Sequence, residues 1–141
     1  MNRENRPLED FRPPVKLMLS ALWASLMFLY IYGDYFNLYT PGKLEKMAAG
    51  DIGFGPATET ALLAVSAIMA FPAVMVFLSL ALAPAINRWL NLLLGLAYTA
   101  IMALTMPGAP LFYIFLGVLE ISLTLLIAFL ALTWRREAIE A

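Results

Sequence analysis

The feature that most constrains this chain is its last apolar stretch, residues 111–134, which carries a single formal charge, Glu120, near its middle and runs into Trp134-Arg135-Arg136. At a helical rise of 1.5 Å per residue, about 20 apolar residues cross the roughly 30 Å hydrocarbon layer of a bilayer, so the stretch predicts a transmembrane helix. Three further apolar stretches precede it, at about 15–39, 57–83 and 87–106. Backbone polar groups in lipid must find partners within the protein, which leaves helices as the natural form for segments of this length. The expected fold is therefore all-α: a membrane-embedded antiparallel four-helix bundle over residues 15–136, with polar tails at 1–14 and 137–141. Composition agrees, since 62% of the 141 residues are hydrophobic and only 13% charged, outside the range of soluble domains.

The residue types that are missing narrow the chemistry. There is no cysteine and no histidine. That removes disulfides, thiol nucleophiles, the usual haem and zinc ligands and the commonest general base, so neither a metal nor a cofactor is expected. A net charge of −1 without a clustered basic face gives no footprint for nucleic acid. Any proton chemistry falls to carboxylates, tyrosines or a lysine, and nothing assigns a reaction. The balance is against an enzyme.

Residues 1–14 read as a solvated tail rather than a signal peptide, because the apolar segment after them is too long and lacks a small-residue cleavage site. The first span is expected to begin after Pro13-Pro14, with Lys16 snorkelling to the near interface. Its far end is aromatic, as an interfacial belt requires. Trp23, Tyr30, Asp34 and Asn37 also share one helical face. Residues 40–57 form a long loop in which Leu44 to Ala49 suit one amphipathic turn on the membrane surface. Pro56 suits the first turn of the next span and Glu59 the positive end of its dipole. Within that span, Pro72 removes a backbone hydrogen bond, so the carbonyl of Ile68 must find another partner or line a cavity.

The third span is expected to follow an Ala-Pro-Ala-Ile turn, with Asn87, Arg88 and Trp89 as interface anchors, matched at the chain's end by Trp134 and Arg135. Asn91, Gly95, Thr99 and Met102 then recur at helical spacing, and Pro107-Gly108-Ala109-Pro110 predicts a tight hairpin. In the last span Tyr113, Gly117, Glu120, Thr124, Ala128 and Ala131 make a small and polar stripe that should face the bundle interior. With the N-terminus inside, seven basic residues (Arg3, Arg6, Arg12, Lys16, Arg88, Arg135 and Arg136) fall on the inner side and two, Lys43 and Lys46, outside. Both termini are thus expected in the cytoplasm of a cell whose inner membrane holds the protein.

Counting rise per residue puts Glu120 about 15 Å below the outer boundary, level with Tyr98, Ser66 and Ser25. Asp34, Tyr30 and Tyr113 lie above it, and no lysine or arginine reaches that depth. A carboxyl so placed is costly and marks a candidate site by default. It is expected to be neutral and hydrogen-bonded to Tyr98, Ser66, Thr124 or a trapped water, either as a proton-coupled ligand site or as interhelical glue. The candidate site thus comprises Glu120, Asp34, Tyr30, Tyr98, Tyr113, Thr124, Ser66 and Trp23.

The motifs Leu19-Ser20-Ala21-Leu22-Trp23, Tyr30-Ile31-Tyr32 with Asp34, Asn87-Arg88-Trp89 with Asn91, and Tyr113-Ile114-Phe115 leading to Glu120-Ile121, Thr124 and Trp134 resemble a family of small four-helix bacterial membrane proteins, a domain of unknown function. The resemblance covers the chain from about residue 16 and implies four spans but no activity. In architecture alone the chain is also similar to DoxX-type four-helix proteins, which are linked to quinone or redox systems. Three readings follow: a protein that binds or transports a small apolar or weakly acidic ligand, a non-catalytic accessory subunit of a membrane complex, or a quinone-linked or lipid-modifying protein. Four short helices enclose little volume, so homo-oligomers or partners in a complex are expected, besides the lipid bilayer itself.

Overall fold

A computed structural model describes residues 11–53 and 55–134. Among the described residues the chain forms five helices: α1 (Val15–Asn37), α2 (Lys43–Ala48), α3 (Glu59–Ala81), α4 (Pro84–Thr105) and α5 (Leu111–Thr133). The only pairing of extended backbone among them is an isolated bridge between Asp51 and Pro56. All but α2 are long and apolar enough to cross a membrane. Residues 1–10 and 135–141, with the expected anchor Arg135 and the basic residues Arg3, Arg6 and Arg136, lie outside the described residues.

The helix ends follow local chemistry and shift two expected boundaries. α3 starts at Glu59 rather than 57 because Thr58 caps it, its Oγ1 accepting from Ala61 N at 3.2 Å. Glu59 then sits in the first turn, where the helix dipole favours an acid. α4 starts at Pro84, not 87: the proline that was expected to make a turn instead opens the helix, where its missing N–H costs nothing. The link from α3 shrinks to Leu82 and Ala83, and Asn87 moves inside the helix. Between α4 and α5 the hairpin turns on Gly108, whose φ of 79° is left-handed backbone that side-chain-bearing residues avoid. On the loop, α2 leaves Leu44 and Met47 exposed, as a segment lying on a membrane surface would.

α4 lies along α5 and α1 along α3, while α1 also packs against α5; α3 meets α4 over a short length only. The α4–α5 contact is close because of Gly95. A Cβ there would stand 2.9 Å from the Thr124 carbonyl oxygen and 3.1 Å from the Ala128 backbone nitrogen, neither of which can move aside. Such small-residue contact is how membrane helices associate where lipid offers no hydrophobic gain. The α5 stripe Gly117, Glu120, Thr124, Ala128 and Ala131 is buried, as its spacing predicts. A core of Leu19, Trp23, Leu26, Met75, Tyr98 and Ile127 draws on all four spans.

Candidate functional site

Three polar layers stack along the bundle axis, and two of them are closed. At the end shared by the start of α1 and the end of α3, Asn91 gathers a network. Its Oδ1 accepts from Trp23 Nε1 at 2.7 Å and from Ser79 Oγ at 3.4 Å, and its Nδ2 donates to Asn87 Oδ1 at 2.6 Å and Asn87 O at 2.9 Å. Asn87 Nδ2 in turn donates to the Ser79 carbonyl at 2.6 Å. Asn87 is fully buried, so it is not the interface anchor that its neighbours Arg88 and Trp89 suggest. Trp23 is likewise sealed within this network, edge-on to Tyr98 with ring centroids 6.0 Å apart. Trp89 is 60% exposed, and Trp134 half-buried against the core.

The middle layer answers the need created by Pro72. α3 continues through the proline, and the carbonyl of Ile68 accepts from the Tyr98 hydroxyl. Tyr98 is thereby committed to α3 and not to Glu120. Removing this hydroxyl with Tyr98→Phe should destabilise the protein by about 1–3 kcal/mol, the cost of an orphaned buried acceptor. In a Pro72→Ala background the new backbone N–H can serve Ile68, so the same Tyr98→Phe change should then cost less than about 1 kcal/mol. Thermal unfolding of the four proteins in detergent completes this cycle, and equal costs in both backgrounds would refute the assignment.

On the α4–α5 face the hydroxyls of Thr99 and Thr124 lie 2.7 Å apart, and each also reaches a carbonyl of its own helix, Gly95 at 2.9 Å and Glu120 at 3.0 Å. Thr124 therefore meets the backbone of Glu120 and not its carboxyl. Tyr113 donates to Thr105 Oγ1 at 3.1 Å, which ties the α4–α5 hairpin at its tip. Ser66, equal in depth to Glu120, is exposed on the outside of α3.

The third layer stays open. Glu120 is 4% exposed, yet among the described residues its carboxyl makes no hydrogen bond and no ion pair. The half-buried Tyr30 hydroxyl makes none either. Every described side-chain oxygen or nitrogen that is sealed off has a partner, so the Glu120 oxygens are not sealed. Tyr30 lies within electrostatic reach of Glu120, Tyr98 and Tyr113, and Glu120 within reach of Asp34. Asp34 itself stands exposed near the end of α1, where Lys43 also acts on it. It is the adjacent Gly33 that faces inward, 3.6 Å (from its Cβ position) from Leu116 of α5. Of the expected site residues the fold leaves Glu120 and Tyr30 without a described hydrogen-bond partner, bonds Tyr98 to Ile68 and Tyr113 to Thr105, and leaves Asp34 exposed. It turns Ser66 away and assigns Trp23 and Thr124 to interhelical bonds. The closed network's Ser79 went unnoticed in the sequence, and only its position two turns after Pro72, near Asn87 and Asn91 across the turn, hinted at it.

Four apolar helices of membrane length, packed around buried polar layers, define an α-helical integral membrane protein. Residues 9–141 match the Family of unknown function (DUF6326), and the chain belongs to that family. No curated protein and no solved structure matches it. The architectural likeness to DoxX-type proteins gains no support from these comparisons.

Proposed function

We propose that this protein binds a small, largely apolar ligand bearing a weakly acidic hydrogen-bond donor, such as a hydroxyl, at the level of Glu120. The observation that carries this reading is the unused hydrogen-bonding capacity of Glu120 and Tyr30 inside an apolar bundle, where every neighbouring hydroxyl and amide is already committed. Leaving a polar group unpaired away from water costs several kcal/mol on transfer scales, so a carboxyl kept for interhelical bonding would be expected to make such a bond. Glu120 supplies an acceptor and Tyr30 a donor and acceptor, enough to hold one hydroxyl and fix its orientation. Asp34, exposed near the end of α1, adds a second acid on the same helix as Tyr30.

The test is mass spectrometry of organic extracts from the protein purified in mild detergent. A small molecule enriched with the wild type should fall at least about tenfold in Glu120→Gln and in Tyr30→Phe, the loss of roughly one hydrogen bond. Both variants should keep the wild-type melting temperature. A wild type that carries no such molecule, or variants that carry it equally, would end this reading.

A second reading, as an accessory subunit, draws on α3, whose first half from Glu59 to Phe71 contains no buried residue and offers a face to another chain. Oligomers would use the same face. We place both termini in the cytoplasm and the protein in the inner membrane of a bacterium, from the seven-to-two distribution of basic residues. The chain has no cysteine, so Ala48→Cys and Ala138→Cys each introduce a unique label site. An impermeant maleimide added to intact cells should label the first and spare the second; labelling of both would refute the orientation.

A further inference from the structure

At the end of the bundle where α1 and α4 begin and α5 ends, a groove of about 1170 Å³ opens between them. Its walls include Lys16, Arg88, Trp89, Phe129, Leu130 and Trp134, and among the described residues no carboxylate lines it. Both cations are fixed in place by helix ends. Lys16 Nζ donates to the carbonyls of Leu82 at 2.7 Å and Leu80 at 3.3 Å, and Arg88 Nη2 donates to that of Leu132 at 3.0 Å. An ammonium has three donors and a guanidinium five, so each keeps hydrogen-bonding capacity for an anion while its stem is already immobilised. The groove also sits at a definite depth. Its cations stand at the ends of spanning helices, Trp89 and Trp134 mark the interface, and Phe129 and Leu130 continue the wall toward the hydrocarbon.

We infer that this groove is a binding site for an anionic phospholipid. The phosphate of the lipid lies between Lys16 and Arg88, the tryptophans flank the headgroup and glycerol, and an acyl chain follows the apolar wall of α5. The charge of the groove is complementary to that occupant and to no zwitterion in particular. The count of basic residues places this end on the cytoplasmic side, whose leaflet surface is negative. The inference rests on the membrane fold and not on the ligand proposed at Glu120.

The experiment is native mass spectrometry of the full chain released from detergent, titrated with dioleoylphosphatidylglycerol or dioleoylphosphatidylcholine. One phosphatidylglycerol should bind about tenfold or more tightly than phosphatidylcholine, the preference that two basic residues at a membrane surface confer. In Lys16→Gln/Arg88→Gln the two lipids should bind alike. Because that pair also caps helices, Ala85→Glu serves as a second variant. It places a carboxylate in the groove lining, leaves both cations on their carbonyls, and should abolish the preference while retaining wild-type melting. Lys16→Arg should preserve it. Equal binding of the two lipids by the wild type, or a preference that survives Ala85→Glu, would overturn the inference. Displacement of phosphatidylglycerol by millimolar inorganic phosphate would do so as well, by assigning the groove to a free anion.

Discussion

Asn91→Leu should destabilise the purified protein by about 2–5 kcal/mol, because it orphans at least two groups that have no access to water. The Trp23 indole N–H loses its acceptor and Asn87 Oδ1 loses its donor, both within a network whose members Trp23, Ser79, Asn87 and Asn91 are 0% exposed. Hydrogen bonds between membrane helices are often worth only about 0.6 kcal/mol, since a chain unfolded within the bilayer also finds partners. The higher range applies here because one amide joins three helices, so a single change unties α1, α3 and α4 together. Adding Trp23→Phe removes one of the orphans, and the double variant should recover part of the loss. Thermal unfolding in detergent reads both effects. An Asn91→Leu protein within about 1 kcal/mol of the wild type would show that the network does not hold the bundle together.

Glu120→Leu should do the opposite, although it is almost as buried. Its carboxyl holds no described partner, so removing it orphans nothing, and leucine replaces it with wholly apolar atoms one bond shorter. An acidic residue at the centre of a membrane helix costs about 2.5–3.5 kcal/mol on insertion scales, and some of that should return as stability. The variant should therefore melt at or above the wild-type temperature while losing ligand, the pattern of a residue kept for function at the expense of stability. Reactivity gives an independent reading. Dicyclohexylcarbodiimide, an apolar reagent that adds to protonated carboxyls, should modify Glu120 in the wild type and leave Glu120→Gln unmodified at that position. A Glu120→Leu protein destabilised as deeply as Asn91→Leu would mean that the carboxyl fastens helices after all.

The contrast between these two residues shows how far the sequence could be read. Apolar run length and turn residues disclose the four spans, and on α5 the spacing of Gly117, Glu120, Thr124, Ala128 and Ala131 discloses the buried face. α3 has no such spacing. It is apolar all round, so the depth of Ser66 could be counted but not the side it faces, and it lies outside. The carbonyl of Ile68 could be identified as needing a donor from Pro72 alone, whereas the donor, Tyr98, depends on how α4 is rotated against α3. Asn87 misled through its neighbours. Successive helix residues point about 100° apart, so an exposed Trp89 says little about a residue two positions earlier, while Asn91 one turn on shares its face. The expected bond between Glu120 and Tyr98 failed for a related reason: one hydroxyl at the right depth had a stronger claim elsewhere.

The two cations that cap α3 and α5 give the chain an unusual economy of signals. In the orientation proposed above, Lys16 and Arg88 count among the basic residues that keep loops in the cytoplasm, and they also hold the carbonyls of Leu82 and Leu132 near the ends of α3 and α5. Information used by the insertion machinery and information used in folding are therefore written in the same side chains. A chain redesigned to insert upside down by moving these charges would lose its helix ends in the same step.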